Sequence, residues 1–306
     1  MGCVGPVILL LFAFAWIPFI GPFFSLLIPL PFLYYATKLG LRDGLKIAAV
    51  TLLIVGLISK LAGYPQIVIF CLEFGLVGLV LSEIYRRKYT LGFTMFWGSC
   101  ATLVIGAIFL SLIALSQNMG PFEMILGYFQ DNLRETIRAY EEAGLEPEKV
   151  AQLQEYGKIL TDILSKIYPA LSIVGSALVV YIALVISKPL FRLGNLQYPE
   201  FAPMDQWQSP ELMVWGVIAA GFSLFLSKGG IRFLAINGLI VMAIIYVFHG
   251  LAIMLFFFNK YRVPHWVRFG TYLLILFQQI FWIVLALAGL FDQWIDIRKI
   301  HKRAKA

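Results

Sequence analysis

Nine stretches of the chain are apolar for long enough to be read as membrane helices: residues 4–20, 22–37, 43–63, 64–85, 91–116, 167–187, 210–226, 231–258 and 266–290. The fifth, LGFTMFWGSCATLVIGAIFLSLIALS, carries no charged residue at all. A helix needs about 20 mostly apolar residues to cross a hydrocarbon core roughly 30 Å thick. The pattern therefore predicts an all-α fold, a polytopic transmembrane helical bundle of eight or nine spans. The count is left open because PELMVWGVIAAGFSLFL, at the seventh segment, is at the short end of what can cross. If it dips in without crossing, most Lys and Arg outside the polar insertion fall on one side of the membrane, as the positive-inside rule favours.

Three segments depart from a plain helix pattern. Pro18, Gly21, Pro22, Pro29 and Pro31 interrupt the first two. Each proline removes a backbone donor, and in lipid the freed carbonyls need partners within the protein. Residues 18–31 are thus expected to face other helices or a cavity, or to form a tight turn, for which Gly-Pro is a strong signal. The third segment is short: Lys46 and Lys60 bracket about 20 Å of helix, so both lysines must snorkel.

Residues 117–166 break the pattern altogether. Ile125, Phe129, Leu133, Ile137 and Tyr140 form one apolar stripe at helical spacing, and Leu153, Leu160, Ile163, Leu164 and Ile167 form another. Gly144 suits the end of the first helix and Pro147 the first turn of the second. An amphipathic helical hairpin projecting from the membrane is expected. It acts as a cap, as a docking surface, or only as a solvated extension of two long helices. The chain then divides into N-terminal transmembrane helices (1–116), the hairpin (117–166), C-terminal transmembrane helices (167–291) and a basic cytoplasmic-type tail (292–306).

Composition agrees with the pattern. The chain is 60% hydrophobic and 13% charged, against roughly 25% charged in soluble domains. The formal charge of +7 does not point to nucleic acid. Basic residues sit in short clusters between apolar runs (Lys38/Arg42/Lys46, Arg86/Arg87/Lys88, Lys260/Arg262/Arg268 and the tail), as Lys and Arg do when they flank spans and meet anionic headgroups. The hairpin is the acidic exception, with nine acidic and five basic residues. It is expected on the outer side. Residues 4–35 begin without a basic stretch, so no signal peptide is read. Cys3, Cys71 and Cys100 have no metal-type spacing and are read as packing residues.

Candidate chemistry is sparse. Glu73 lies mid-span in IVIFCLEFGLVGLVLSEIYRRK, where an ionisable group is costly and functional by default. It either carries a proton or cation, contacts a substrate, or stays protonated and hydrogen-bonded to a neighbouring helix. Glu83 is within reach of Arg86 and Arg87 as a surface ion pair. Asn237, Tyr246 and His249 share one span, but Asn237 and His249 lie about 120° apart around it. No second ligand sits near His249, so no metal site is predicted. Gln278 and Gln279 suit interhelical hydrogen bonds. Ser209-Pro210-Glu211 reads as the N-cap and first turn of a helix. In GLFDQWIDIRKIHKRAKA, Asp292 and Asp296 lie one turn apart at a helix C-terminus, where the macrodipole disfavours negative charge. They should need cationic partners, with Arg298 or a loop residue such as Arg262 as candidates; Lys299 and Arg303 continue the same face. No phosphate-binding, dinucleotide, zinc-protease or nucleophile-elbow motif is present, so no catalytic residue or cofactor is assigned.

GLFDQWIDIRK at the end, INGLIVMAIIYVFHGLAIMLFF at 236–257, WQSPELMVW at 207–215 and IPLPFLYYATKLGLRDG at 28–44 resemble the YybS-like family of uncharacterised bacterial membrane proteins. That family is similar in outline to the substrate-binding subunits of energy-coupling-factor vitamin transporters and to the rod-shape protein MreD. The first likeness implies small-solute capture with separate ATPase partners, the second an envelope-assembly role without catalysis. The acidic hairpin has no counterpart in either.

The reading is a multi-pass protein of the bacterial cytoplasmic (inner) membrane that binds or moves a small solute through a polar-lined cavity. Glu73, Asn237, Tyr246 and His249 are the substrate-binding candidates; Asp292, Asp296 and Arg298 are helix-end ion pairs. The alternative is a non-catalytic scaffold that docks protein partners through residues 121–166 and the tail. The lipid bilayer is the one partner common to both.

Overall fold

Long uncharged runs with few helix breakers leave the backbone one way to satisfy its own polar groups in lipid, the α-helix. The computed structural model describes residues 2–17, 21–64, 67–144, 146–196, 203–226 and 228–298, and among these there is no strand. The helices are α1 Val4–Trp16, α2 Gly21–Ser25, α3 Pro29–Leu39, α4 Leu41–Leu61, α5 Ile67–Arg86, α6 Leu91–Ser116, α7 Pro121–Glu142, α8 Pro147–Leu193, α9 Met213–Leu226, α10 Gly230–Lys260, α11 His265–Phe277 and α12 Gln279–Ile295. Each of the nine apolar segments has a helical counterpart, so the protein is a helical membrane bundle. Among the described residues, five helices are long and apolar enough to cross a membrane, or six if α11 and α12 form one broken span. The segments around α1, α3 and α9 give shorter apolar helices than the sequence pattern implied.

The chain divides into two compact units, Met1–Ser165 with Gly175–Glu200, and Lys166–Val174 with Phe201–Ala306. In the first, α1, α3, α4 and α5 share a core of Val7, Leu11, Ile28, Phe32, Ala36, Val55, Cys71 and Leu79. Pro29 and Pro31 open α3, where a missing N–H costs nothing, and both are buried. Pro18 lies outside the described residues. The close approach of α3 to α5 requires glycine: a Cβ on Gly78 would strike the carbonyl oxygen of Pro29, and one on Gly75 would press on the Phe32 ring at 3.3 Å. At the far end of α5, the Tyr85 hydroxyl and Ser187 Oγ of α8 lie 2.9 Å apart, buried.

The hairpin of the first unit is α7 with the start of α8. Pro121 opens α7, and Glu123 Oε2 accepts from the Gly120 N–H at 3.1 Å. Gly144 turns the chain at φ 81° and Pro147 starts α8. Helix α8 then runs for 47 residues without a break, about 70 Å. The second hairpin helix and the following span are one continuous helix, as the reading of the hairpin as an extension of long helices allowed. Pro169 lies within this stretch, and Asn237 of α10 engages the backbone groups beside it, so the helix passes the proline without ending.

In the second unit α10 is the axis. It meets α12 at two glycines: a Cβ on Gly250 would collide with the Leu285 carbonyl, and one on Gly289 with the Tyr246 carbonyl. Such small residues let backbones touch in a membrane bundle. The last apolar segment, read as one straight span, instead bends by 104° between α11 and α12. Gln278 is at once the C-cap of α11 and the N-cap of α12. Trp282 Nε1 donates to the Ile275 carbonyl at 2.7 Å, replacing one backbone partner that the bend removes. No proline or glycine marks that break, which is why the pattern missed it.

Candidate functional site

The close α10–α12 crossing positions the chemistry. Gly250 and Gly289 bring His249 and Asp292, one residue before and three residues after them, within reach of each other. His249 Nε2 and Asp292 Oδ2 are 3.1 Å apart. Both side chains are almost fully buried, as is Arg298, which is 1% exposed. Arg298 follows the left-handed turn at Asp296 (φ 46°) that ends α12. That turn folds the guanidinium back onto the helix end.

Arg298 has five N–H donors in a rigid fork, and all five have an acceptor. Nε and Nη2 donate to Asp292 Oδ2 at 3.3 and 3.1 Å. Nη1 donates to the carbonyls of Asp205 and Trp207 at 2.8 and 3.0 Å. Nη2 lies 2.8 Å from His249 Nε2. Asp292 Oδ1 in turn accepts from the Ile297 N–H at 2.7 Å. The carboxylate at the C-terminal end of α12, unfavourable against the macrodipole alone, is thus held by a cation and a backbone donor. The cation is Arg298 and not the loop residue Arg262.

On the other side of the imidazole, Ser209 Oγ is 2.9 Å from His249 Nδ1. Gln293 Nε2 donates to the same oxygen at 2.9 Å and to the Pro210 carbonyl at 3.2 Å. Tyr246 donates its hydroxyl to Gln293 Oε1 at 3.2 Å. Trp207 meets the imidazole edge-on at 6.1 Å.

Serine, histidine and aspartate in a row suggest nucleophilic catalysis, and the guanidinium argues against it. An arginine nitrogen only donates and a carboxylate oxygen only accepts, so His249 Nε2 faces both a donor, Arg298 Nη2 at 2.8 Å, and an acceptor, Asp292 Oδ2 at 3.1 Å. A general base needs a bare nitrogen facing the hydroxyl and a carboxylate free to stabilise the imidazolium. Here the carboxylate is already neutralised and a cation abuts the ring. The arrangement is a clamp: Arg298 ties the segment before α9, the middle of α10 and the end of α12 together.

The remaining sequence candidates lie elsewhere. Asn237, on α10, is inserted into the backbone ladder of α8. Its Oδ1 accepts from the Ala170 N–H at 2.9 Å and its Nδ2 donates to the Lys166 carbonyl at 2.8 Å. Those two backbone groups are i→i−4 partners beside Pro169, which breaks the ladder locally. Asn237 Nδ2 also reaches the Phe233 carbonyl, so the amide is fully engaged. Glu73 belongs to the first unit. It is half-buried, its Oε1 lies 3.3 Å from where a Cβ on Gly106 would sit, and it has no hydrogen-bond partner among the described residues. Glu83 lies 3.8 Å from both Arg86 and Arg87. Among the described residues no group of three or more His, Cys, Asp or Glu could hold a metal. Lys299 and Arg303 lie outside the described residues.

Sequence reasoning missed Ser209 and Gln293. Ser209 carried a complete helix-start signal with Pro210 and Glu211, yet α9 begins only at Met213, and the hydroxyl turns to His249. Gln293, four residues from Gly289 on the helix carrying Asp292, had the right position but no distinguishing pattern.

A family model described as "Predicted membrane protein (DUF2232)" matches residues 6–293. The chain belongs to this family. It is 21% identical over 305 residues to "Uncharacterized protein YybS" of Bacillus subtilis (strain 168), covering 96% of each chain. No solved structure matches it. The YybS-like resemblance carried by the quoted motifs therefore holds over nearly the whole chain, and the protein is an integral membrane protein of a family defined so far by its membrane character.

Proposed function

We propose that this protein binds or moves a small solute in the bacterial cytoplasmic membrane, and that the cluster around His249 is the part that opens and closes for it. The observation that carries this reading is the burial of Ser209, His249, Asp292 and Arg298 together in a bundle of membrane-type helices. Such groups cost several kcal/mol in that setting and are functional by default. One guanidinium holds three segments, so a solute with an anionic group that competes for Arg298 would release all three at once. Tyr246 belongs to the same cluster through Gln293. Asn237 serves it indirectly by fixing α10 against the middle of α8. Glu73 is assigned a separate role, as a carboxyl in the first unit that takes up a proton or cation.

The test is untargeted mass spectrometry of small molecules retained after purification in mild detergent, comparing the native chain with His249→Ala. A solute enriched with the native chain and lost with the variant is the expected result. Identical retained profiles from the native chain and a His249→Ala variant of equal thermal stability would remove the reading.

A second reading rests on the hairpin. None of the residues of α7 is buried, and Tyr128, Tyr140 and Tyr156 stand 75%, 48% and 61% exposed. A cleft of about 760 Å³ between α7 and α8, lined by Leu133, Ile137, Arg138 and Lys158 among others, offers a mixed apolar and charged surface for a protein partner. Under that scaffold reading, Tyr128→Ser with Tyr156→Ser abolishes function and His249→Ala is silent.

A further inference from the structure

The first unit carries an apolar groove with a lysine at one end. It runs along the α4–α5 seam, about 690 Å³ in volume, lined by Ala49, Leu52, Gly56 and Leu57 of α4 and Val68 and Leu72 of α5, with Lys60 at one end. Its α4 residues fall at helical spacing, so they form one continuous stripe. The walls stand proud: Leu53 and Leu57 are 74% and 63% exposed. Gly56 deepens the middle, since a Cβ there would meet nothing closer than Val68 Cγ2 at 3.7 Å. From Ala49 to Lys60 the floor is about 16 Å long, most of the short crossing between Lys46 and Lys60.

The two ends differ in charge. Beyond Ala49, Lys46 is paired with Asp43 at 2.8 Å. Lys60 is exposed and has no ion pair among the described residues. Tyr64, 58% exposed one turn further on, is an amphipathic ring suited to the headgroup level. An apolar channel with an exposed ammonium and an interfacial phenol at one end matches a single anionic phospholipid in polarity.

We propose that the α4–α5 groove is a binding site for one anionic glycerophospholipid, with an acyl chain along Ala49–Leu57 and the headgroup phosphate on Lys60. This is independent of the solute reading and of the His249 cluster. The occupant is a lipid and not a second copy of the chain, because the groove is apolar along its length and charged at the end where a phosphate would sit.

The experiment is native mass spectrometry of the full chain titrated with phosphatidylglycerol or phosphatidylcholine of identical acyl chains. The native chain should retain one phosphatidylglycerol about fivefold more tightly than phosphatidylcholine, the preference one lysine at a membrane surface gives. Lys60→Gln should erase that preference while leaving phosphatidylcholine binding unchanged. Gly56→Leu, which fills the floor, should weaken both lipids. Lys46→Gln should leave the preference intact. Equal retention of the two lipids by the native chain would overturn the proposal. So would a preference that survives Lys60→Gln, or a dimer that Gly56→Leu dissolves.

Discussion

At the residue scale, Arg298 is the group on which the second unit depends most. It is 1% exposed, and removing one partner of a buried pair leaves the other as an uncompensated charge. Arg298→Ala should therefore destabilise the protein by about 3–5 kcal/mol, read as a fall in the midpoint of thermal unfolding in detergent. Arg298→Lys should do nearly as badly, because an ammonium offers three donors from one point and cannot span Asp292, His249 and two carbonyls. Adding Asp292→Asn to Arg298→Ala should recover part of the loss, since the stranded charge is then gone; an additive double variant would contradict the pairing. Glu73→Gln tests the opposite case. A half-buried carboxyl with no partner among the described residues contributes little to folding, so the variant should melt within about 0.5 kcal/mol of the native chain. The sequence showed Asp292 as a charge in need of a cation and named Arg298 among the candidates. It could not show Ser209, because a serine before a proline and a glutamate carries the same signature whether it caps a helix or reaches across to an imidazole.

At the element scale, two contacts decide how the second unit is assembled. The α10–α12 crossing depends on backbone meeting backbone at Gly250 and Gly289. A carbonyl cannot swing aside as a side chain can, so Gly250→Ala must separate the helices. The expected cost is about 1–3 kcal/mol or more, together with loss of the His249–Asp292 contact. A crosslink between cysteines placed on facing turns of α10 and α12 would report the separation directly. The second contact is the Asn237 amide in the α8 ladder beside Pro169. Asn237→Leu takes the acceptor from the buried Ala170 N–H, at about 1–3 kcal/mol, and Asn237→Leu with Pro169→Ala should restore stability because α8 can then close its own ladder. Failure of the proline replacement to rescue would contradict this account. Element existence was legible throughout because apolar length is a strong signal. Element continuity was not. The bend at Gln278 has no proline or glycine to announce it, and the fusion of the hairpin's second helix with the next span leaves no mark, because a helix that leaves lipid for water changes its polarity without changing its backbone.

At the scale of the whole molecule, the most direct prediction concerns sidedness. Helix α6 is 26 residues long and uncharged, about 39 Å, enough to cross with some tilt. Crossing once, it must put the Arg86-Arg87-Lys88 turn and the α7–α8 hairpin on opposite sides. The positive-inside rule draws the basic turn to the inner face, so the hairpin is expected outside, and its acidity is compatible with that because acidic residues weigh little in orientation. In a cysteine-free background, Glu142→Cys at the exposed end of α7 should react with a membrane-impermeant maleimide in intact cells, and Lys88→Cys should react only after the membrane is opened. The reverse labelling would place the hairpin inside and any partner it docks in the cytoplasm. Labelling of both sites in intact cells would mean that α6 does not cross, and the count of spanning helices would fall with it.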